Sequence, residues 1–164
     1  KVIFNKVGYT SSGCDDVEFY VSFNLGENLN PLNKVASGGE MSRFMLAFKK
    51  ILSDVDKIET MIFDEIDTGI SGRAAQVVGE KLAEMSKYKQ LICITHLPQI
   101  AAFADDHYYI EKNVENERTF TSISNLDYED REKEIARLIS GKIITEKTLE
   151  HSHEMIELAK KTKA

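Results

Sequence analysis

Two short apolar runs constrain this chain more than anything else in it. Thr60–Phe63 ends in the acids Asp64 and Glu65, and Leu91–Thr95 ends in His96. Between them, Ser71–Ser86 carries Ala74, Val77, Val78, Leu82 and Met85 at helical spacing. Strand runs without polar alternation are covered on both faces, and strands joined through a helix run parallel. The expected class is therefore α/β, with a mainly parallel sheet flanked by helices. Ligands of such sheets sit at the C-terminal edges of the strands. Asp64, Glu65 and His96 all fall on that edge.

The remaining chain supplies further elements. Val2–Val7 and Val17–Phe23 read as strands, the second with apolar residues at every other position. Positions 26–33 are turn-rich, with Gly26 and Pro31. Met41, Phe44, Met45, Phe48, Ile51 and Leu52 form one stripe on a helix expected over Glu40–Leu52. Pro98 suits the first turn of a helix reaching about Ala104. His107–Glu111 and Thr119–Leu126 are expected to pair as strands. Helices Glu129–Ile139, stopped by Gly141, and Thr145–Lys161 follow.

At 164 residues the chain suits a single domain with a real core. No apolar run approaches the ~18 residues of a membrane span, so no membrane role is expected. The start lacks a signal-peptide pattern and a Met, which suggests a fragment of a longer chain. Only Cys14 and Cys93 occur, too few for a disulfide framework, and a reduced cytoplasmic setting is the simpler reading. A net charge of −6 argues against nonspecific coating of nucleic acid. The clusters Lys49, Lys50, Lys57 and Lys160, Lys161, Lys163 read first as solvated helix faces.

The chemistry lies in three stretches. Adjacent carboxylates at a strand end can divide two roles of phosphoryl transfer to water. Asp64 would hold a magnesium ion that keeps its waters and phosphate ligands, and Glu65 would orient the attacking water. The plain alternative is a strand running into an acidic turn. Ser37-Gly38-Gly39-Glu40 opens a helix whose exposed N–H groups suit an anion such as phosphate. The same spacing is an ordinary capping box, and both can hold. His96 could contact a γ-phosphate or be structural. No other histidine or cysteine stands at metal-ligand spacing from it. The polar loop Asp67–Gly72 is a strand-to-helix connection with Ser71 as a candidate cap, well placed to touch a partner subunit. A phosphate-gripping Gly-x-x-x-x-Gly-Lys-Ser/Thr loop is not in the chain.

A serine-glycine-glycine signature, then a strand with Asp-Glu, then a strand ending in His resembles the ABC-type ATPases, and Glu40 resembles their SMC-like branch. The long runs Phe63–Arg73 and Ile94–Ala102 are similar to the RecN family of bacterial DNA-repair proteins, as are Val17-Glu18-Phe19 and Ala36–Glu40. Two positions depart from the general ABC pattern and agree with RecN-like proteins. They are Ala36 before the signature, and Ile66-Asp67-Thr68-Gly69 after the acids.

The resemblance implies the C-terminal lobe of a P-loop NTPase-like SMC head. A missing N-terminal lobe of the same full-length chain would supply the lysine loop, with a coiled coil between the lobes. It implies a homodimer whose two heads sandwich two ATP molecules with Mg2+. Ser37, Gly38, Gly39 and Glu40 would then face the ATP of the other subunit, with Asp64, Glu65 and His96 at their own. Asp67 to Ser71 would cross the dimer. Double-strand break repair and recombination on double-stranded DNA ends, in the cytoplasm at the bacterial nucleoid, follow from the resemblance alone. Two rivals are a DNA- or partner-binding module on a vestigial ATPase fold and an unrelated magnesium-dependent hydrolase. The second leaves Ser37-Gly38-Gly39 unexplained.

Overall fold

The computed structural model describes residues 1–35, 37–52, 57–115 and 118–163. Ala36, one of the two sequence departures, lies outside the described residues. Strands β1 (Val2–Thr10) and β2 (Gly13–Val21) pair antiparallel, with Thr10 opposite Gly13, and β3 (Asn30–Pro31) adds to β2. Helices α1 (Leu32–Val35) and α2 (Gly38–Ile51) follow. Next come β4 (Thr60–Phe63), α3 (Gly72–Ser86), β5 (Gln90–Cys93) and α4 (Pro98–Ala101). The hairpin β6 (Tyr108–Glu115) and β7 (Arg118–Asn125) and helices α5 (Tyr128–Ser140) and α6 (Glu146–Lys163) complete the order.

The chain is α/β, as expected, but its sheets are mixed. Parallel pairing among the described residues is confined to β4 and β5, in the register Met61–Leu91 to Phe63–Cys93. The other two sheets are antiparallel. The two-residue connection between β1 and β2 can only reverse the strand, whereas the helical crossover through α3 allows a parallel return. The α4 helix is shorter than Pro98–Ala104 and β1 longer than Val2–Val7.

Helix α2 is held on two sides. Phe44 and Phe48, from the predicted stripe, meet Phe19 of β2 edge-on at 6.3 and 6.0 Å between ring centroids. That stripe is only half-buried. Leu46, outside it, is the helix's buried apolar side chain and joins Met61, Phe63, Ile66, Val78, Leu82 and Met85 in the main core. A helix between two surfaces buries more than one stripe, which a single periodicity does not show.

Helix α3 also turns differently from its predicted face. Ala74 and Val77 are exposed, while Ala75, Gly79 and Ala83 are buried. Small residues let α4 and α6 approach closely. A second core of Ala83, Ala101, Ala102, Phe103, Ile135, Ile156 and Ala159 fills that side. A β-carbon at Gly79 would stand 2.6 Å from Phe103 Cδ2 and 3.0 Å from the Gln99 carbonyl. Gly79→Ala is expected to cost about 1–3 kcal/mol by overpacking, read as a lower Tm. Trimming the ring with Phe103→Leu should recover part of that loss. An unchanged Tm in Gly79→Ala would contradict the packing.

Among the described residues one face of the parallel pair is covered and the other is open. Met61 and Phe63 point into the core, while Ile62, Ile92 and Ile94 are exposed at 67%, 46% and 50%. Among the described residues no helix is long and apolar enough to cross a membrane.

Candidate functional site at the β4–β5 edge

The end of β4 runs into a tight loop, positions 64–71, that α2 fastens from one side. Ser42 Oγ donates to the Asp64 carbonyl at 3.1 Å. The Arg43 guanidinium donates to the Ile66 and Thr68 carbonyls at 3.0 and 2.8 Å. Thr68 N–H donates to the Glu65 carbonyl at 3.1 Å, and Ile66 is fully buried beneath. Nothing in the sequence marked Ser42 or Arg43, because carbonyls as partners leave no residue-type signature.

Glu65 adopts φ 58°, the left-handed region that residues with a side chain avoid at ~1–2 kcal/mol. Its carboxylate lies against the start of α2. A β-carbon at Gly38 would stand 2.7 Å from Glu65 Oε2. An acid there meets the positive end of the helix dipole, which offsets part of the backbone cost. Gly39 is buried, and a β-carbon on it would meet the Thr68 carbonyl at 2.8 Å and the Glu65 carbonyl at 3.0 Å. The signature glycines are thus what lets α2 touch the acid loop. Within one chain, Gly38 and Glu65 are neighbours.

Ser37 caps α2 in a full capping box. Its Oγ accepts from Glu40 N–H at 3.3 Å, and Glu40 Oε2 accepts from the Ser37 N–H and hydroxyl, each at 2.9 Å. The Ser37 N–H, then its hydroxyl, hold the Glu40 carboxyl below its ordinary range. Ser71 occupies the cap position of α3 but makes no cap hydrogen bond through its side chain.

Asp67 is placed inside, at 4% exposure, and not on the open rim with Thr68 and Gly69. Its Oδ2 accepts from the Thr95 hydroxyl at 2.7 Å and from His96 N–H at 2.9 Å. His96 Nδ1 is 3.0 Å from the same oxygen, while the imidazole is 75% exposed. Burial pushes the Asp67 carboxyl up, but the bonds from Thr95 and His96 outweigh it and the net shift is downward. Burial, then the charges of Asp67 and Asp64, push the neighbouring Cys93 thiol up to about 12. Cys93 is therefore a poor nucleophile, and the reactive groups of this edge are carboxylates and imidazole.

Asp64 and Glu65 are exposed, and none of the described residues donates a hydrogen bond to either carboxylate. Among the described residues no three His, Cys, Asp or Glu side chains group to cage a metal. One free carboxylate at a strand edge suits an ion that takes its other ligands from phosphates and water, as Mg2+ does. The basic clusters are largely engaged elsewhere. Lys50 pairs with Glu84, Lys160 with Glu157 at 2.7 Å and Lys163 with Asp105 at 2.6 Å.

No family model matches the chain. A DNA repair protein RecN of Halalkalibacterium halodurans is 50% identical over 154 residues, 94% of this chain and 27% of that protein. The RecN of Bacillus subtilis is 46% identical over 157 residues, 96% of this chain and 27% of its own length. That of Treponema pallidum is 49% identical over 144 residues, 88% of this chain and 25% of that protein. A solved structure from work on ATP-driven dimerization and DNA-stimulated activation of SMC ATPases superposes with a TM-score of 0.52. It shares 20% identity and covers 78% of this chain and 76% of its own. The fold is like that of the SMC ATPase structure, and the chain is similar over almost its whole length to RecN DNA repair proteins, of whose length it spans about a quarter.

Proposed function

We propose that this chain is the C-terminal, catalytic lobe, a single domain, of an ATPase head acting in DNA double-strand break repair and recombination. The observation that carries the proposal is the placing of Asp64, Glu65 and His96 at the one edge where β4 and β5 end, with Asp67 joining the acid loop to His96. Asp64 holds Mg2+, and the ion supplies charge neutralisation on the phosphates of ATP when bound. Glu65 orients and polarises the attacking water. His96 contacts the γ-phosphate. Ser37, Gly38 and Gly39, with Glu40 keeping the cap closed, present the N-terminus of α2 to the ATP of a second head. Thr68 to Ser71 form the rim facing that head.

The remaining parts lie outside this chain. Its RecN relatives are about four times its length. The N-terminal lobe of the same protein brings the phosphate-gripping lysine loop and covers Ile62, Ile92 and Ile94, since parallel strands are found covered on both faces. Double-stranded DNA ends are the substrate on which the homodimer works, in the cytoplasm at the nucleoid. The names of the bacterial relatives and the SMC-like fold support this assignment.

The test is steady-state ATPase of this chain co-expressed with its N-terminal lobe, with and without linear double-stranded DNA. Hydrolysis is expected only in the complemented pair and is raised by DNA. This chain by itself is expected to turn over negligibly and to bind MgATP weakly. A soluble, ATP-binding pair without hydrolysis would favour a non-hydrolysing DNA-binding module.

A further inference from the structure

Asp67 stands apart from the other acids of the edge. Asp64 and Glu65 are exposed, but Asp67 is 4% exposed, and its Oδ2 accepts two hydrogen bonds from the other strand's end with His96 Nδ1 3.0 Å away. Thr95 donates its hydroxyl to Asp67 and accepts from Leu97 N–H at 3.1 Å, which bends the chain just past β5. The His96 main chain and ring are thereby both referred to the same carboxylate.

We propose that Asp67 is a positioning residue for His96. Its buried Oδ2 accepts from the main-chain N–H and faces Nδ1 at 3.0 Å, so the ring keeps its proton on Nδ1 as the Nδ1–H tautomer with Nε2 turned outward at the Asp64–Glu65 edge. The catalytic consequence rests on the ATPase reading above, with His96 at the γ-phosphate, but the tautomer does not. A neutral imidazole has one donor and one acceptor nitrogen, and the partner of one decides the state of the other. A carboxylate accepts only, so it selects N–H at Nδ1 and leaves Nε2 as the acceptor in the neutral ring. In the protonated ring, Nε2–H becomes a donor fit for a phosphate oxygen. The sequence distance between Asp67 and His96 hides this pair. It also links the 64–71 loop to the β5 end, so a partner touching the rim at Thr68 or Gly69 reaches His96 through one side chain.

The first test is 15N NMR of the full-length protein labelled at histidine, at mildly alkaline pH, with His96 assigned by loss of its signal in His96→Gln. The Nδ1–H tautomer is expected in the wild type. The Nε2–H tautomer would overturn the proposal whatever the protein's activity. The second is a cycle of Asp67→Ala, His96→Gln and the double variant. Asp67→Ala is expected to lower kcat about 10–100-fold, with little change in KM for ATP. The double variant should be no slower than His96→Gln, because Asp67 acts through the ring. Losses that multiply would mean that Asp67 only holds the loop. Asp67→Asn, whose amide oxygen can serve the same donors, guards against a folding defect. It should keep the Tm and part of the rate, and wild-type kcat in Asp67→Asn together with multiplying losses would overturn the positioning role. A wild type that does not hydrolyse ATP would remove the catalytic consequence while leaving the tautomer result to decide the pair.

Discussion

Glu65→Gln in the complete protein should reduce ATP turnover by about 10²–10⁴-fold while lengthening the life of the ATP-bound dimer. The amide keeps the shape of the side chain and its place against Gly38, and on the proposed reading it removes the base that polarises the attacking water. Three observations make Glu65 the residue to change. It is exposed at the strand edge, it has no hydrogen-bond donor among the described residues, and it holds φ 58° in a loop clamped by Arg43. Backbone strain of this kind persists where the surroundings over-determine it, and it gathers at functional sites. Single-turnover hydrolysis and the dimer fraction in ATP, measured together, decide the matter. Turnover at the wild-type rate would remove Glu65 from the chemistry.

Gly39→Ala should affect both fold and rate. The added methyl would stand 2.8 Å from the Thr68 carbonyl and 3.0 Å from the Glu65 carbonyl. These are backbone atoms of a loop already tied down, so they cannot swing aside. Overpacking of about 1–3 kcal/mol is offset in part by the roughly 1 kcal/mol that Ala gains over Gly inside a helix. A lower Tm is expected, and the Glu65 loop should shift with it. Gly38→Ala is the internal control. Its methyl meets only the far end of the Glu65 side chain, at 2.7 Å from Oε2. Stability should hold or rise there, while the carboxylate moves and the rate falls. Equal Tm losses in both variants would mean that the two glycines are not distinguished in the way the packing requires.

Most of the site is legible in the order of the residues. Asp64 and Glu65 follow directly on β4, and His96 stands three residues past β5, which ends at Cys93 and not at the expected Thr95; the runs themselves are easy to see in a chain. Ser37 and Glu40 have the spacing of a capping box, a local geometry, and the box forms as spaced. The stop at Gly141 is equally legible, because φ 77° there needs a residue without a side chain. The expectations that shift all concern which side of an element faces what. Leu46 and not the Met41–Leu52 stripe is buried, and Gly79 and Ala83 replace Ala74 and Val77 at the α3 contact. Small residues at a helix crossing carry little hydrophobic signal, so periodicity under-counts them.

Residue order alone is enough for the α/β class, the succession of elements apart from β3 and α1, the acid pair and histidine near the strand ends, and the likeness to RecN proteins. These depend on local propensity and short motifs, which act within a few residues. Three contacts come from the tertiary fold: Gly38 against Glu65, Arg43 clamping the acid loop, and Asp67 turned inward to His96. The ties around that loop join residues 22 to 29 apart through carbonyls and a buried carboxylate. Nothing in residue type alone tells an acid at an open rim from one folded beneath it.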